Sequence, residues 1–147
     1  MFPSVVQNSP VDICTIRPQS PKSPLILVVD DDDDSLTLMA YILDQLSFRA
    51  CFVADGLAAL RAAQQQPQLI LSDIHLPEMD GYSLIRQLRA DGATQNIPVV
   101  AVTALASADD RHKILNAGFD GYLSKPFLIQ SLEQLIHRFI AVPSITP

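Results

Sequence analysis

The chain alternates five times between a short, largely apolar run and a longer stretch with helical spacing, and this alternation constrains its fold more than any other feature. The runs cover residues 25–29, 49–53, 69–72, 98–103 and 121–123. A short continuous apolar run is typical of a strand that is covered on both faces. Because strands joined through helices run parallel, with right-handed crossovers, the pattern predicts an α/β fold with helices on both faces of the sheet.

The stretches between the runs carry the periodicity and the boundary residues of amphipathic helices. In the first stretch, Leu36, Met39, Leu43 and Leu46 recur at intervals of three or four residues. The acids that precede it are suited to cap a helix and to lie at its positive end. Further along the chain, glycines and prolines mark the helix ends and loops, at positions 56, 67, 81, 92, 98 and 118.

The length of 147 residues and the hydrophobic fraction of 48% fit one domain with a substantial core, which we place at residues 24–142. Residues 1–23 contain recurrent prolines among Ser, Gln and Asn, a composition that breaks both helix and strand periodicity. We therefore predict a disordered, Pro-rich N-terminal extension, with residues 143–147 as a short C-terminal tail. The initial Met1 favours a whole, stand-alone protein.

Charge and composition exclude several classes of protein. The net charge of −6 gives no electrostatic attraction to a nucleic-acid backbone, so direct nucleic-acid binding is not expected. No apolar run approaches membrane-spanning length, and the amino-terminal residues lack the cationic start and apolar stretch of a signal peptide. Cys14 and Cys51 lie far apart in the sequence and form no visible disulfide framework, which fits a reducing cytosol. We therefore expect a cytoplasmic protein.

Reactive side chains follow the ends of the predicted strands. In a parallel sheet with these connections all carboxyl ends meet at one edge, where open α/β sheets bind ligands. That edge collects the run Asp30–Asp34 and the side chains of Asp55, Asp73, Thr103 and Lys125. Several carboxylates in one cleft repel each other unless a cation joins them, and Mg²⁺ is the usual oxygen-bound candidate. A carboxylate nucleophile with a metal, a lysine and a hydroxyl suits phosphoryl transfer.

The acidic run has other interpretations. Acidic runs are most often solvated turns, and for Asp32, Asp33 and Asp34 we favour helix capping. The spacing also imitates the start of an EF-hand loop, but Ser35 and Tyr41 stand where that loop requires Gly and Glu. We therefore retain only Asp30 and Asp31 as functional candidates from this run.

Four segments in order, at the expected strand ends, resemble a receiver domain of bacterial two-component response regulators. They are residues 28–31 (VVDD), 73–81 (DIHLPEMDG), 102–104 (VTA) and 121–127 (GYLSKPF), and the resemblance covers residues 25–140. It implies a flavodoxin-like (βα)₅ fold with a doubly wound parallel sheet in the strand order 2-1-3-4-5.

The resemblance also implies a role for each acid. Asp73 accepts a phosphoryl group from a histidine kinase or a phosphotransfer protein. Asp31 and Asp73 bind Mg²⁺ or Mn²⁺ directly, together with the backbone carbonyl of His75, and Asp30 acts on the metal through a water molecule. No other cofactor is implied.

On the opposite side of the predicted site, the resemblance implies a lysine and two switch residues. Lys125 pairs first with Asp73 and then with its phosphate, and Thr103 moves toward the phosphoryl oxygens. Tyr122 turns inward to fill the space that Thr103 leaves, which changes the surface formed by the last helices and strands. The peptide bond between Lys125 and Pro126 could be cis or trans.

We therefore expect a phosphorylation-dependent signalling switch that acts by binding a downstream protein. It would not be a turnover enzyme, although it could remove its own phosphoryl group, with His75 and Leu105 flanking the site and tuning the rate. Homodimerisation on activation is left open. One alternative is a receiver scaffold that works without phosphorylation. A haloacid-dehalogenase-type phosphatase is disfavoured because Asp34 stands where that motif has Thr or Val.

Overall fold

A computed structural model describes residues 13–14, 24–105 and 107–140 of the chain. Its sheet contains six strands: β1 (Ile13–Cys14), β2 (Leu25–Val29), β3 (Arg49–Val53), β4 (Leu69–Ser72), β5 (Val99–Thr103) and β6 (Gly121–Ser124). Their spatial order is β1-β3-β2-β4-β5-β6. The strands β2 to β6 run parallel. If these five strands are numbered 1 to 5 along the chain, their spatial order is the predicted 2-1-3-4-5. The predicted fold class is therefore confirmed.

Five helices connect the parallel strands or follow the last one: α1 (Asp33–Gln45), α2 (Gly56–Ala63), α3 (Gly81–Ala90), α4 (Ala108–Ala117) and α5 (Ile129–Phe139). Four begin at a side-chain cap of the kind that satisfies free helical N–H groups. Asp32, Asp55, Asp80 and Ser107 are these caps. Asp32 thus has the capping role that was predicted for the later acids of the run.

The apolar core lies on both faces of the sheet, as a doubly wound fold requires. Buried side chains of α2, α3 and α4 pack on one face, and buried side chains of α1 and α5 pack on the other. Neighbouring residues of β2 alternate between these clusters, with Leu27 in the first and Ile26 in the second. The continuous apolar runs seen in the sequence follow from this two-sided burial.

Two backbone positions explain local sequence choices. Gly118, which follows α4, has φ 117°, a conformation that favours glycine. Ser47, which follows α1, has φ 66°, a left-handed conformation that glycine would adopt without strain.

Part of the N-terminal extension lies among the described residues. Within residues 1–23, Ile13–Cys14 form a strand that pairs antiparallel with β3, and the rest of the predicted disordered segment lies outside the described residues. Cys51 is disulfide-bonded, although no disulfide framework was visible in the sequence. Cys51 lies in β3, and the pairing of β3 with β1 could not be deduced from spacing along the sequence.

Candidate functional site

Strand pairing places two predicted acids side by side at one edge of the sheet. Val29, the last residue of β2, is in register with Ser72, the last residue of β4, so that Asp30 and Asp73 follow neighbouring strand ends. The N–H of Asp73 donates to the carbonyl of Val29 at 2.9 Å. The backbone therefore carries both carboxylates to the same position along the sheet.

Lys125 joins the two carboxylates. Its Nζ donates to Oδ2 of Asp30 at 2.7 Å and to Oδ2 of Asp73 at 3.1 Å. It also lies 3.4 Å from Oγ of Ser35, in the first turn of α1. The N–H of Lys125 donates to the carbonyl of Thr103 at 2.9 Å, and its peptide bond to Pro126 is cis. Three segments of the chain thus converge on one ammonium group.

Burial and pairing act on the charges of the site in opposite directions. Asp30 is only 5% exposed, and the loss of solvent raises the pKa of its carboxyl, although hydrogen bonds from Lys125 and from the N–H of Asp32 oppose the shift. For Lys125, burial is the largest single influence and lowers its pKa. The hydrogen bonds and charges of Asp30 and Asp73 together outweigh burial, so the pKa of Lys125 is raised and the ammonium stays charged.

Asp73 is held in place but remains accessible. Its Oδ1 accepts hydrogen bonds from the N–H groups of Ile74, at 2.6 Å, and His75, at 3.3 Å. Its side chain is 13% exposed, against 8% for the side chain of Asp30. A carboxylate with one oxygen fixed by backbone donors, the other beside a lysine and an open path to solvent can act as a nucleophile.

The predicted switch residues Thr103 and Tyr122 both bind the backbone of Leu105, one at its N–H and the other at its carbonyl. Thr103 is fully buried, and its Oγ1 accepts from the N–H of Leu105 at 3.4 Å. The hydroxyl of Tyr122 donates to the carbonyl of Leu105, and its ring is partly buried against the core. Among the described residues, the side chain of Thr103 makes no hydrogen bond to Asp73, so the predicted approach of Thr103 to a phosphoryl group on Asp73 would require movement.

The predicted metal ligands are only partly assembled. Asp31 is exposed, and no three His, Cys, Asp or Glu side chains among the described residues are grouped as ligands. The charges nevertheless fit a hard cation, because the carboxylates of Asp30 and Asp73 share a single lysine and leave a net negative charge in a partly buried cleft. Asp31 directly follows Asp30 in the sequence, and its side chain is exposed.

Two contacts of the site were not predicted from the sequence, that of Ser35 with Lys125 and that of the Leu105 carbonyl with Tyr122. Ser35 contacts Lys125, and its position after the acidic run, in the first helical turn at the same sheet edge, could have indicated this. The carbonyl of Leu105 binds Tyr122, and no sequence signal could have indicated a backbone partner.

Next to the acids, a cleft of about 420 Å³ extends between α1 and the segment after β6, with apolar walls that include Leu38, Met39, Val102 and Phe127.

Comparison with known proteins identifies relatives over most of the chain. A family model described as response regulator receiver domain matches residues 26–137. The chain is 34% identical to the sensor protein GacS of Pseudomonas syringae pv. syringae over 88% of this chain and 15% of that protein. It is 41% identical to the transcriptional regulatory protein PrrA of Mycobacterium bovis over 75% of this chain and 47% of that protein. The chain thus spans less than half of either relative.

A solved receiver-domain structure is similar to this chain in both fold and sequence. The receiver domain of the sensor histidine kinase PA1611 from Pseudomonas aeruginosa PAO1 has a TM-score of 0.76 and 38% sequence identity, and the match covers 82% of this chain and 99% of that one. A magnesium ion is coordinated in the active-site cleft of that domain. No helix within residues 24–105 and 107–140 is long and apolar enough to cross a membrane.

Proposed function

Because this chain belongs to the response regulator receiver domain family, a component of two-component signalling, we propose that it is a switch controlled by phosphorylation of Asp73. The observation that carries the proposal is the bridge from Lys125 to the carboxylates of Asp30 and Asp73. This bridge places a fixed positive charge beside the accessible carboxylate of Asp73, where that charge would stabilise the oxygens of an incoming phosphoryl group.

The chemical step is an in-line transfer. A carboxylate oxygen of Asp73 attacks the phosphorus of a phosphohistidine, a new O–P bond forms, and the bond from phosphorus to the donor's imidazole nitrogen breaks. Positioning and charge neutralisation supply most of the catalysis in such transfers. The N–H groups of Ile74 and His75 fix the orientation of the carboxylate, and Lys125 balances charge on the phosphoryl oxygens.

A divalent cation fits the acidic side of this site. Asp31, Asp73 and the backbone carbonyl of His75 would hold Mg²⁺ or Mn²⁺, and Asp30 would act through a water molecule. When bound, the metal would supply charge neutralisation for the transferring phosphoryl oxygens. The magnesium in the PA1611 receiver domain, at 38% identity, supports this assignment.

Phosphorylation would be transmitted through Thr103, Leu105 and Tyr122. The phosphoryl group adds negative charge and strong acceptors beside Asp73, and the buried Thr103 is a nearby hydroxyl donor. If Thr103 turns toward the phosphoryl group, it gives up the N–H of Leu105. The segment after β5 is then held mainly by Tyr122, whose inward movement would change the surface formed by α4, β6 and α5.

The proposal includes partners and a location. A cytoplasmic histidine kinase domain or a phosphotransfer protein would be the donor, and a downstream protein would read the altered surface. We propose that the domain turns over no external substrate beyond its own phosphoryl group, and that His75 and Leu105 affect the lifetime of that group.

The test is phosphorylation by acetyl phosphate with Mg²⁺, followed by intact-mass spectrometry, with Asp73→Asn as the control. We expect one added phosphoryl group that is absent from the variant and absent when EDTA replaces Mg²⁺. Rapid hydrolysis of unrelated phosphate esters would instead favour a phosphatase. No labelling of folded protein, by acetyl phosphate or by a set of phosphorylated kinases, would favour a phosphorylation-independent scaffold.

A further inference from the structure

The N-terminal strand covers the edge of the sheet that a five-stranded fold would leave open. β3 is paired with β2 on one side, and β1 pairs antiparallel with β3 on the other. The register places Ile13 opposite Phe52 and Cys14 opposite Cys51. An uncovered edge strand exposes free backbone donors and acceptors, so β1 protects β3.

The contact is too short to be expected to persist on backbone pairing alone. β1 has only two residues, and few hydrogen bonds can form along them. Each such bond competes with hydrogen bonds to water and with the entropy of an ordered chain. Some further attachment must therefore hold β1 against β3.

Cys51 provides this attachment. It is 2% exposed and disulfide-bonded, and the sequence contains two cysteines in all. The partner is therefore either the facing Cys14 or a cysteine of another molecule, and the strand register favours Cys14. We propose that Cys14 and Cys51 form a reversible disulfide latch, a thiol-modification site that fastens the N-terminal strand to β3 under oxidising conditions and releases it on reduction.

The chemistry of the latch balances with a low-molecular-weight disulfide as oxidant. One cysteine thiolate attacks that disulfide, a mixed disulfide forms, and the second cysteine displaces the remaining thiol. The protein dithiol loses two electrons and two protons, and the oxidant leaves as two thiols. A dithiol reductant reverses both steps. Disulfides in reducing compartments are mostly transient and redox-sensing, which favours a switch over a permanent cross-link.

The latch lies on the side of the domain that leads to the acidic site. Val53, two residues after Cys51, accepts a hydrogen bond from the N–H of Asp30 at 3.1 Å. Asp55, just beyond β3, caps α2. Fastening β1 therefore shields the backbone of β3 from solvent. The carboxyl end of β3 supports the site, but no new group enters the site itself.

The first experiment tests the bond. The full-length protein is equilibrated in buffers with different ratios of glutathione to glutathione disulfide, free thiols are alkylated, and peptides are mapped without reduction. We expect an intramolecular peptide pair containing Cys14 and Cys51 whose fraction falls from nearly complete to nearly absent across the series. Alkylation of both cysteines in every buffer, a bond that never responds, or a bond between two molecules would overturn the proposal.

The second experiment tests the latch. Hydrogen exchange is compared for oxidised and reduced protein, with Cys14→Ser as a matched variant that retains Cys51 and cannot close the bond. Oxidation should slow hydrogen exchange of the β3 amides that point toward β1 at least tenfold in the wild type. It should have no effect on these amides in the variant. Equal protection in oxidised and reduced wild type would show that the disulfide does not hold β1, and would overturn the latch.

Discussion

The Lys125 ammonium group lies closer to Asp30, at 2.7 Å, than to the proposed phosphoacceptor Asp73, at 3.1 Å. Asp30 therefore holds the lysine in the site before any phosphoryl group arrives. Preorganised charge of this kind avoids reorganisation during the reaction. It also separates the roles of the two acids, because Asp30 orients the lysine while Asp73 remains accessible.

Replacement of Lys125 should separate activation from metal binding. Lys125→Ala removes the ammonium group that bridges Asp30 and Asp73, so Mg²⁺ should bind at least as tightly, while the response of the α4–β6–α5 surface to phosphorylation is impaired. Titration calorimetry and partner binding measure the two effects. Arg86→Ala, which removes an exposed cation on α3 and outside that surface, is the control and should change neither. A collapse of Mg²⁺ affinity in Lys125→Ala would contradict the assigned roles.

Removal of Asp31 should abolish metal binding without unfolding the domain. Its side chain is exposed, so Asp31→Ala should change the free energy of unfolding by less than about 0.5 kcal/mol. We expect no detectable heat of Mg²⁺ binding by calorimetry in this variant. Asp33→Ala, which changes an exposed acid in the first turn of α1, serves as the matched control. Unchanged Mg²⁺ affinity in Asp31→Ala would remove this residue from the ligand set.

The raised pKa of Asp30 predicts a pH dependence of stability in EDTA-containing buffer. Because burial raises this pKa above its ordinary value of 3.8, the folded state favours the protonated carboxyl. That contribution is fully present below pH 3.8 and is lost as pH rises through the folded pKa. Relative to Asp30→Asn, which cannot ionise, the wild type should therefore lose stability as pH rises, measured by urea unfolding. A constant difference between the two proteins would contradict the shift.

Gly81 should be needed for the position of Asp73. A Cβ atom at residue 81 would lie 2.7 Å from the carbonyl oxygen of Asp73 and 2.8 Å from Cα of Ile74, and both neighbours are backbone atoms. Gly81→Ala should therefore displace the phosphoacceptor, slow phosphorylation by acetyl phosphate about tenfold or more, and cost about 1–3 kcal/mol of stability.

Gly92→Ala is the matched control, because nothing lies within 4 Å of a Cβ atom there. It should phosphorylate at the wild-type rate. If Gly81→Ala also did so, the close approach would have no role in placing Asp73.

Loss of the Tyr122 hydroxyl should loosen the segment after β5. Tyr122→Phe removes the hydrogen bond to the carbonyl of Leu105, a net loss of about 0.5–1.5 kcal/mol for a bond of this kind. Asp73 should still accept a phosphoryl group, since Tyr122 does not contact it. Hydrogen exchange at Leu105 should be faster, and Tyr41→Phe, which changes an exposed tyrosine on α1, should leave it unchanged. Normal protection of Leu105 in Tyr122→Phe would exclude this hydroxyl as a restraint.

Local patterns and chain connectivity were sufficient to predict the parallel sheet and the edge at which the reactive residues collect. Apolar runs indicated the strands, helical spacing indicated the crossovers, and strands connected in this way must direct their carboxyl ends to one edge. Asp30, Asp73 and Lys125 converge there as predicted. The strand order came from the family resemblance, because periodicity does not reveal which strands are neighbours.

The tertiary structure alone decided which atoms meet at that edge. The contact of Lys125 with Asp30, the hydrogen bond from Tyr122 to a backbone carbonyl and the pairing of β1 with β3 each join parts of the chain that are remote in sequence. Spacing along a chain reports on contacts within one helix or strand, where neighbours are a fixed number of residues apart. Contacts between elements depend on how the elements pack and on which group each side chain reaches.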